Sequence, residues 1–141
     1  MPANALVDTG AILAMLDSRD SWHVPCKAAF QQLHMPLLTS EAVFTEVFHS
    51  TGANRAAMEA AWTFLRSGAV VVSTIEDPEM PQLRSLMLKY RDWPMDFADA
   101  TLVHLANRES LSTILTVDQA DFTTYPLAGK RRFRVLPLDR P

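Results

Sequence analysis

Two aspartates directly follow predicted strands, and both could take part in metal chemistry. Asp8 comes after the apolar run NALV, and Asp118 comes after TILTV. In open α/β sheets, functional sites form beyond the carboxyl ends of the strands, so both side chains are expected at the same edge of the sheet. Aspartate also caps helices and favours turns through its own hydrogen bonds, which is the alternative role for each residue.

A third aspartate is expected in an unfavourable place on a helix. Asp99 shares a helix face with Leu102 and Val103, so its carboxylate projects from an apolar stripe. An unpaired ionised carboxylate there is costly or has a raised pKa, and Asp96, three residues earlier, adds like-charge repulsion. A divalent cation would relieve both problems. Asp96 also has an alternative role, because after the Pro94 break it can cap this helix.

Glu46 completes the acidic set, on a predicted helix rich in valine and phenylalanine. It lies at the edge of the apolar arc, where a solvated glutamate is the simpler interpretation. Convergent carboxylates supply the hard oxygen ligands that Mg²⁺ prefers. An ion held in this way can activate water and neutralise a phosphodiester oxygen. The candidate catalytic and metal-ligating residues are therefore Asp8, Glu46, Asp99 and Asp118, with Asp96 as an additional acid.

Other catalytic patterns are absent from the sequence. There are four glycines and no glycine-rich phosphate loop, no HExxH pair for zinc and no G-x-S-x-G elbow. His104 is expected on the polar face of its helix. A phosphotransfer receiver or an aspartyl phosphatase would need an acidic pair at the first strand and a lysine after a later strand, and neither is evident.

Composition indicates one globular domain over residues 1–141, with 48% hydrophobic and 21% charged residues. The net charge of −3 means that nucleic-acid binding would depend on local cations or a bound metal. The basic run KRRFR contains Lys130, Arg131 and Arg132, which could contact RNA phosphates or form a solvated sheet edge. The sequence has a single cysteine, no signal-peptide pattern and no apolar run long enough for a membrane span, so we expect a cytoplasmic protein without a membrane partner.

Short apolar runs alternate with segments of helical periodicity, which is typical of β-α-β units and a parallel sheet. We therefore predict a three-layer α/β/α domain whose central parallel sheet has four to five strands. Ser40 is expected to cap one helix, and Gly68 to end another. The predicted strands cover residues 4–7, 35–39, 69–73, 113–117 and 133–138. The predicted helices cover residues 11–16, 22–33, 41–49, 55–66, 77–90 and 97–108.

Four segments resemble the acidic motifs of PIN domains in order and spacing, most closely those of VapC-type toxins. They are LVDTGAILAMLD, SEAVFTEVFH, MDFADATLVHLA and TVDQADF, and the resemblance extends from residue 5 to about residue 138. It implies a PIN-like fold and a Mg²⁺-dependent endoribonuclease, with Mn²⁺ as a substitute ion. It also implies a homodimer and the toxin role in a type II toxin–antitoxin system, with a cognate antitoxin protein.

By position, the resemblance makes Asp8 and Asp99 the central metal ligands, while Glu46 and Asp118 complete the cluster. One departure from the family pattern is Gly10, which stands where the family commonly has a serine. The missing hydroxyl motivates an alternative hypothesis, a catalytically weak PIN-like module that serves mainly to bind another protein.

Overall fold

A parallel β-sheet of five strands forms the centre of the computed structural model, which describes residues 3–141. Every neighbouring pair of strands is parallel, and the order across the sheet is β3-β2-β1-β4-β5. Parallel neighbours need long crossover connections, which the helices provide here. The strands are β1 (Leu6–Val7), β2 (Leu37–Ser40), β3 (Val70–Ser73), β4 (Thr113–Leu115) and β5 (Arg134–Leu136).

Seven α-helices lie between or after the strands in the described part of the chain. They are α1 (Thr9–Leu16), α2 (His23–Gln32), α3 (Glu41–Thr51), α4 (Arg55–Arg66), α5 (Met80–Lys89), α6 (Phe97–Arg108) and α7 (Gln119–Thr124). Two 3₁₀ turns cover Asp77–Glu79 and Ala128–Lys130. The predicted α/β/α architecture with a parallel sheet is therefore confirmed, with five strands. Helix α7 is the element that the sequence did not predict.

The local signals that begin and end the helices act as expected. The Ser40 hydroxyl accepts a hydrogen bond from the backbone N–H of Val43 at 3.2 Å and so caps α3. Gly68 has a φ of +89°, the left-handed conformation that favours glycine just beyond a helix end. It follows α4, whose bounds agree with the prediction.

The hydrophobic core lies around β1 and α6. Both residues of β1 are buried because β2 and β4 flank this strand and helices cover the sheet. Helix α6 is buried continuously from Ala98 to Ala106. Toward β5, the buried rings of Phe122 and Tyr125 pack edge to face, with centroids 5.5 Å apart. No helix within residues 3–141 has the length and hydropathy that crossing a membrane would require.

The prediction that His104 lies on a polar helix face is wrong. His104 is only 6% exposed, because α5 packs against this side of α6. Its Nε2 lies 2.7 Å from Oε1 of Glu79, and Nη1 of Arg108 lies 2.8 Å from the same oxygen. The hydrogen bond to His104, followed by those to the Glu76 backbone and Arg108, lowers the pKa of Glu79 to about 2. The contacts of His104 and Arg108 with Glu79 therefore connect α6 to the turn that precedes α5.

Candidate active site

Asp8 lies at the carboxyl end of β1, the central strand of the sheet, directly before α1 begins. Its side chain is 2% exposed, and both carboxylate oxygens accept hydrogen bonds. The backbone N–H of Thr9 donates to Oδ1 at 2.7 Å, and the hydroxyl of Thr116 donates to Oδ2 at 3.1 Å. The pKa of Asp8 is raised to about 7, mainly by burial and also by the charges of Asp118 and Glu46, while these two hydrogen bonds act to lower it.

Asp99 occupies the first turn of α6 and is 8% exposed, as its place on an apolar face predicts. Its Oδ2 accepts a hydrogen bond of 3.2 Å from the buried hydroxyl of Tyr125. Burial is the main reason that its pKa rises to about 8, followed by repulsion from Asp96 and Asp8. Asp8 and Asp99, although separated by 91 positions in the sequence, thus belong to one electrostatic cluster.

Asp96 and Asp118 lie at the exposed rim of this cluster. Asp96 caps α6, because its Oδ1 accepts a hydrogen bond from the Asp99 backbone N–H at 2.8 Å. The Asp118 backbone N–H donates to the Thr116 hydroxyl oxygen at 3.0 Å. The pKa of Asp118 is raised by burial and by the charges of Asp121 and Asp96, and the charge of Asp118 in turn raises the pKa of Asp8. Asp118 is therefore a neighbour of Asp8.

Glu46 approaches the cluster from α3. Its side chain is half-buried, and its Oε1 accepts a hydrogen bond of 2.6 Å from the hydroxyl of Thr9. Its negative charge is close enough to raise the pKa of Asp8. The structure thus brings the five acids expected from the sequence to one edge of the sheet, at the carboxyl ends of β1 and β4.

The basic run lies elsewhere. Lys130, Arg131 and Arg132 precede the first residue of β5, which is at the amino-terminal end of that parallel strand. Arg131 donates to the backbone carbonyls of Ala128 and Leu111, while Arg132 donates to that of Thr124. Their role as RNA contacts stays a prediction, and any such contact would be made away from the acids.

The acids match the chemistry of a hard divalent cation in type of ligand and in charge. All donors are carboxylate oxygens, and burial together with the neighbouring negative charges raises the pKa values of Asp8 and Asp99, a cost that a bound cation would offset. Within residues 3–141, no three carboxylate, imidazole or thiol groups already lie as close together as ligands of one ion. Ion binding would therefore require the acids to come closer together than they lie in this structure.

Three residues that the sequence did not single out hold the acids in place. They are Thr9, Thr116 and Tyr125, whose hydroxyl groups donate to Glu46, Asp8 and Asp99 respectively. Thr116 lies in the TVDQADF motif, two residues before an acid, which was a usable signal. Tyr125 gave no such signal, because its contact with Asp99 spans 26 positions of the chain.

Gly10 is explained by a close approach between α1 and the segment after β4. A Cβ atom at position 10 would lie 2.4 Å from Cγ2 of Val117, which is too close for any side chain without movement of the valine. The side chain of Val117 thus occupies the space that a residue larger than glycine would need at position 10.

Comparison with known proteins places the chain among PIN domains and VapC proteins. The family model described as "PIN domain" matches residues 5–126. Over 135 residues, the chain is 30% identical to ribonuclease VapC26 of Mycobacterium tuberculosis (strain ATCC 25618 / H37Rv), covering 94% of this chain and 99% of that protein.

Two solved structures share the fold. VapC20 of M. tuberculosis, described as a sarcin-ricin loop cleaving toxin, superimposes with a TM-score of 0.74 at 19% identity, covering 84% of this chain and 94% of that one. The protein PAE2754 of Pyrobaculum aerophilum superimposes with a TM-score of 0.56 at 20% identity, covering 84% of each chain.

Proposed function

The chain belongs to the PIN-domain family, and on this premise we propose that it is a VapC-type toxin that cleaves RNA with Mg²⁺, for which Mn²⁺ can substitute. The observation that carries the proposal is the pair of buried aspartates, Asp8 and Asp99, which belong to one cluster of acids and form no ion pair with the side chains of residues 3–141. The relative named as a ribonuclease, which matches nearly the whole chain, supports the same activity.

In this proposal Asp8, Glu46, Asp99 and Asp118 hold the metal ion. When bound, the ion supplies an activated water and neutralises charge on the phosphodiester group. Asp96 remains at the rim, because its carboxylate already caps α6.

The chain's own contribution is to keep the buried acids in fixed positions. Each carboxylate oxygen of Asp8 accepts one hydrogen bond, from the Thr9 N–H and from the Thr116 hydroxyl, and the Tyr125 hydroxyl donates to Asp99. Groups fixed before substrate arrives need no reorganisation during the reaction, and ligand orientation by outer hydrogen bonds commonly improves metal affinity. The raised pKa values imply that ion binding displaces protons from Asp8 and Asp99, so affinity should increase as pH rises from 6 to about 8.

Two protein partners belong to the proposal. The first is a cognate antitoxin, which we propose from the VapC type of the chain. The second is another copy of the chain, forming a homodimer. Exposed Met80, Leu88 and Phe97 rim an apolar groove of about 380 Å³ between α5 and the start of α6, and this surface supports a protein interface.

Cleavage of short RNA oligonucleotides by the purified, partner-free chain tests the proposal. We expect cleavage with Mg²⁺ or Mn²⁺, none with chelator, and loss of at least about a hundredfold in rate for Asp99→Asn with unchanged circular dichroism. The panel should include a sarcin–ricin loop oligonucleotide beside transfer and messenger RNA sequences.

The same assay separates the proposal from its alternative, a catalytically weak binding module motivated by Gly10. If the chain binds its partner but neither binds Mn²⁺ nor cuts any RNA of the panel, the alternative is correct. Growth inhibition on expression that disappears with Asp8→Ala would speak for the nuclease.

A further inference from the structure

Thr9 connects two of the acids through two different groups. It is the first residue of α1, and its backbone N–H donates to Oδ1 of Asp8 at 2.7 Å. Its hydroxyl donates to Oε1 of Glu46 at 2.6 Å. One residue therefore bonds to carboxylates that enter the site from β1 and from α3, 38 positions apart in the sequence.

The hydrogen bond from the Thr9 hydroxyl keeps the Glu46 carboxylate near Asp8, although their charges repel. Glu46 is close enough to Asp8 for its charge to raise the pKa of Asp8, so the two carboxylates repel each other. A glutamate side chain has three rotatable bonds and, without an anchor, would turn toward solvent. The bond to Thr9 occupies Oε1, while Oε2 accepts no hydrogen bond from residues 3–141.

No other residue of α1 can replace this hydroxyl. Thr9 is the only residue of α1, TGAILAML, with a side-chain O–H or N–H group. At the next position, the approach of Val117 to Gly10 leaves no room for a side chain. The hydroxyl that reaches Glu46 from α1 therefore comes from the residue directly after Asp8.

We propose that Thr9 is a positioning residue, whose hydroxyl holds the Glu46 carboxylate beside Asp8 so that both can bind one divalent cation. This inference rests on the proposed function, since it assumes that the acids hold metal. According to this inference, metal affinity depends on the hydroxyl group of Thr9 and not on the shape of its side chain.

Three variants test the inference. Thr9→Val removes the hydroxyl and keeps the shape, and Thr9→Ser keeps the hydroxyl and removes a methyl group. Thr63→Val makes the same change as the first on the exposed face of α4 and is the matched control. The Kd for Mn²⁺ is measured by isothermal titration calorimetry, and the Tm in EDTA checks the fold. Should Thr9→Val fail to fold, Thr9→Ala is measured in its place.

We expect Thr9→Val to weaken Mn²⁺ binding about tenfold or more, the usual loss when an outer-shell partner of a ligand is removed. Thr9→Ser should stay within about threefold of the wild type, and Thr63→Val should equal it. In a Glu46→Ala background, Thr9→Val should cause no further loss, because the hydroxyl then has no carboxylate to hold.

The outcomes distinguish this inference from the proposed function. Wild-type Mn²⁺ binding that Thr9→Val leaves unchanged would overturn the inference and leave the nuclease proposal intact. The same holds for a full additional loss in the Glu46→Ala background, or for a folded Thr9→Ser variant that binds as weakly as Thr9→Val. A wild-type chain that binds no Mn²⁺ would overturn the proposed function itself.

Discussion

Replacing Asp99 by asparagine should stabilise the metal-free protein at alkaline pH. In the folded chain, burial and then repulsion from Asp96 and Asp8 raise the pKa of Asp99 from 3.8 to about 8. A carboxyl with a raised pKa contributes stability that is fully present below its unfolded pKa and is lost as pH rises to the folded value. The free energy of unfolding of the metal-free wild type should therefore fall between about pH 4 and about pH 8.

The size of this effect follows from the shift. One pKa unit corresponds to about 1.4 kcal/mol, so the full shift would give about 6 kcal/mol. Contact of part of the carboxyl with solvent screens the charge, and we expect about 2 kcal/mol to remain. Asparagine is neutral and of similar shape, although it gives up roughly 0.5 kcal/mol of interaction with the helix dipole. At about pH 8.5 the variant should melt roughly 6 °C above the wild type, and at about pH 4 the two should nearly coincide.

Thermal unfolding followed by circular dichroism in EDTA, from about pH 4 to about pH 9, measures the difference. Asp139→Asn, which changes an exposed aspartate, is the control and should follow the wild type. With saturating Mn²⁺ the order should reverse, because only the wild type has the ionised ligand. The reasoning is refuted if Asp99→Asn, folded by its spectrum, is less stable than the wild type at about pH 8.5, or if their difference does not vary with pH.

Three further predictions concern other parts of the molecule. Glu79→Gln should lower the urea midpoint at neutral pH, and the difference from the wild type should vanish as pH falls toward 2. The reason is that the stability linked to the lowered pKa of Glu79 is present above about pH 4.5 and is lost as pH falls through about 2. A difference independent of pH would contradict this. Gly10→Ser should destabilise the chain by about 1–3 kcal/mol, because the new side chain clashes with Val117. Val117→Ala in the same chain should relieve much of that cost. If the two substitutions have strictly additive effects on urea unfolding, there is no such clash. Lys130→Ala with Arg132→Ala should weaken RNA binding and reduce the slope of log K against log salt by about 2, and an unchanged slope would end their candidacy as phosphate contacts.

Local signals were sufficient to predict six of the seven α-helices of residues 3–141 and the edge of the sheet that the acids share. Helix α6 has the predicted bounds because Pro94 and Asp96 fix its start. Asp8 could be placed because a polar residue directly after a buried parallel strand can only lie at the carboxyl edge. The six residues of α7 were missed, since so short a segment shows little periodicity.

Contacts between distant segments could not be predicted in the same way. Helical periodicity placed His104 opposite the apolar stripe of α6, but α5 covers that side, and the turn that precedes α5 supplies Glu79 as a partly exposed partner. The hydrogen bonds of Thr9 to Glu46 and of Tyr125 to Asp99 likewise depend on how the helices cross, which a single sequence does not encode locally. The same is true of the close approach of Val117 to Gly10.

The central position of β1 has a consequence for when the site comes into existence during synthesis. Asp8 is translated early, yet its strand lies between β2 and β4, and β4 ends only at Leu115. Thr116 and Tyr125, which hold the two buried aspartates, are translated later still. Because parallel pairing between such distant segments cannot form before both exist, a nascent chain has an incomplete site until residue 125 has been translated. During most of elongation, the ribosome that makes this proposed ribonuclease is therefore not exposed to a complete active site on the nascent chain.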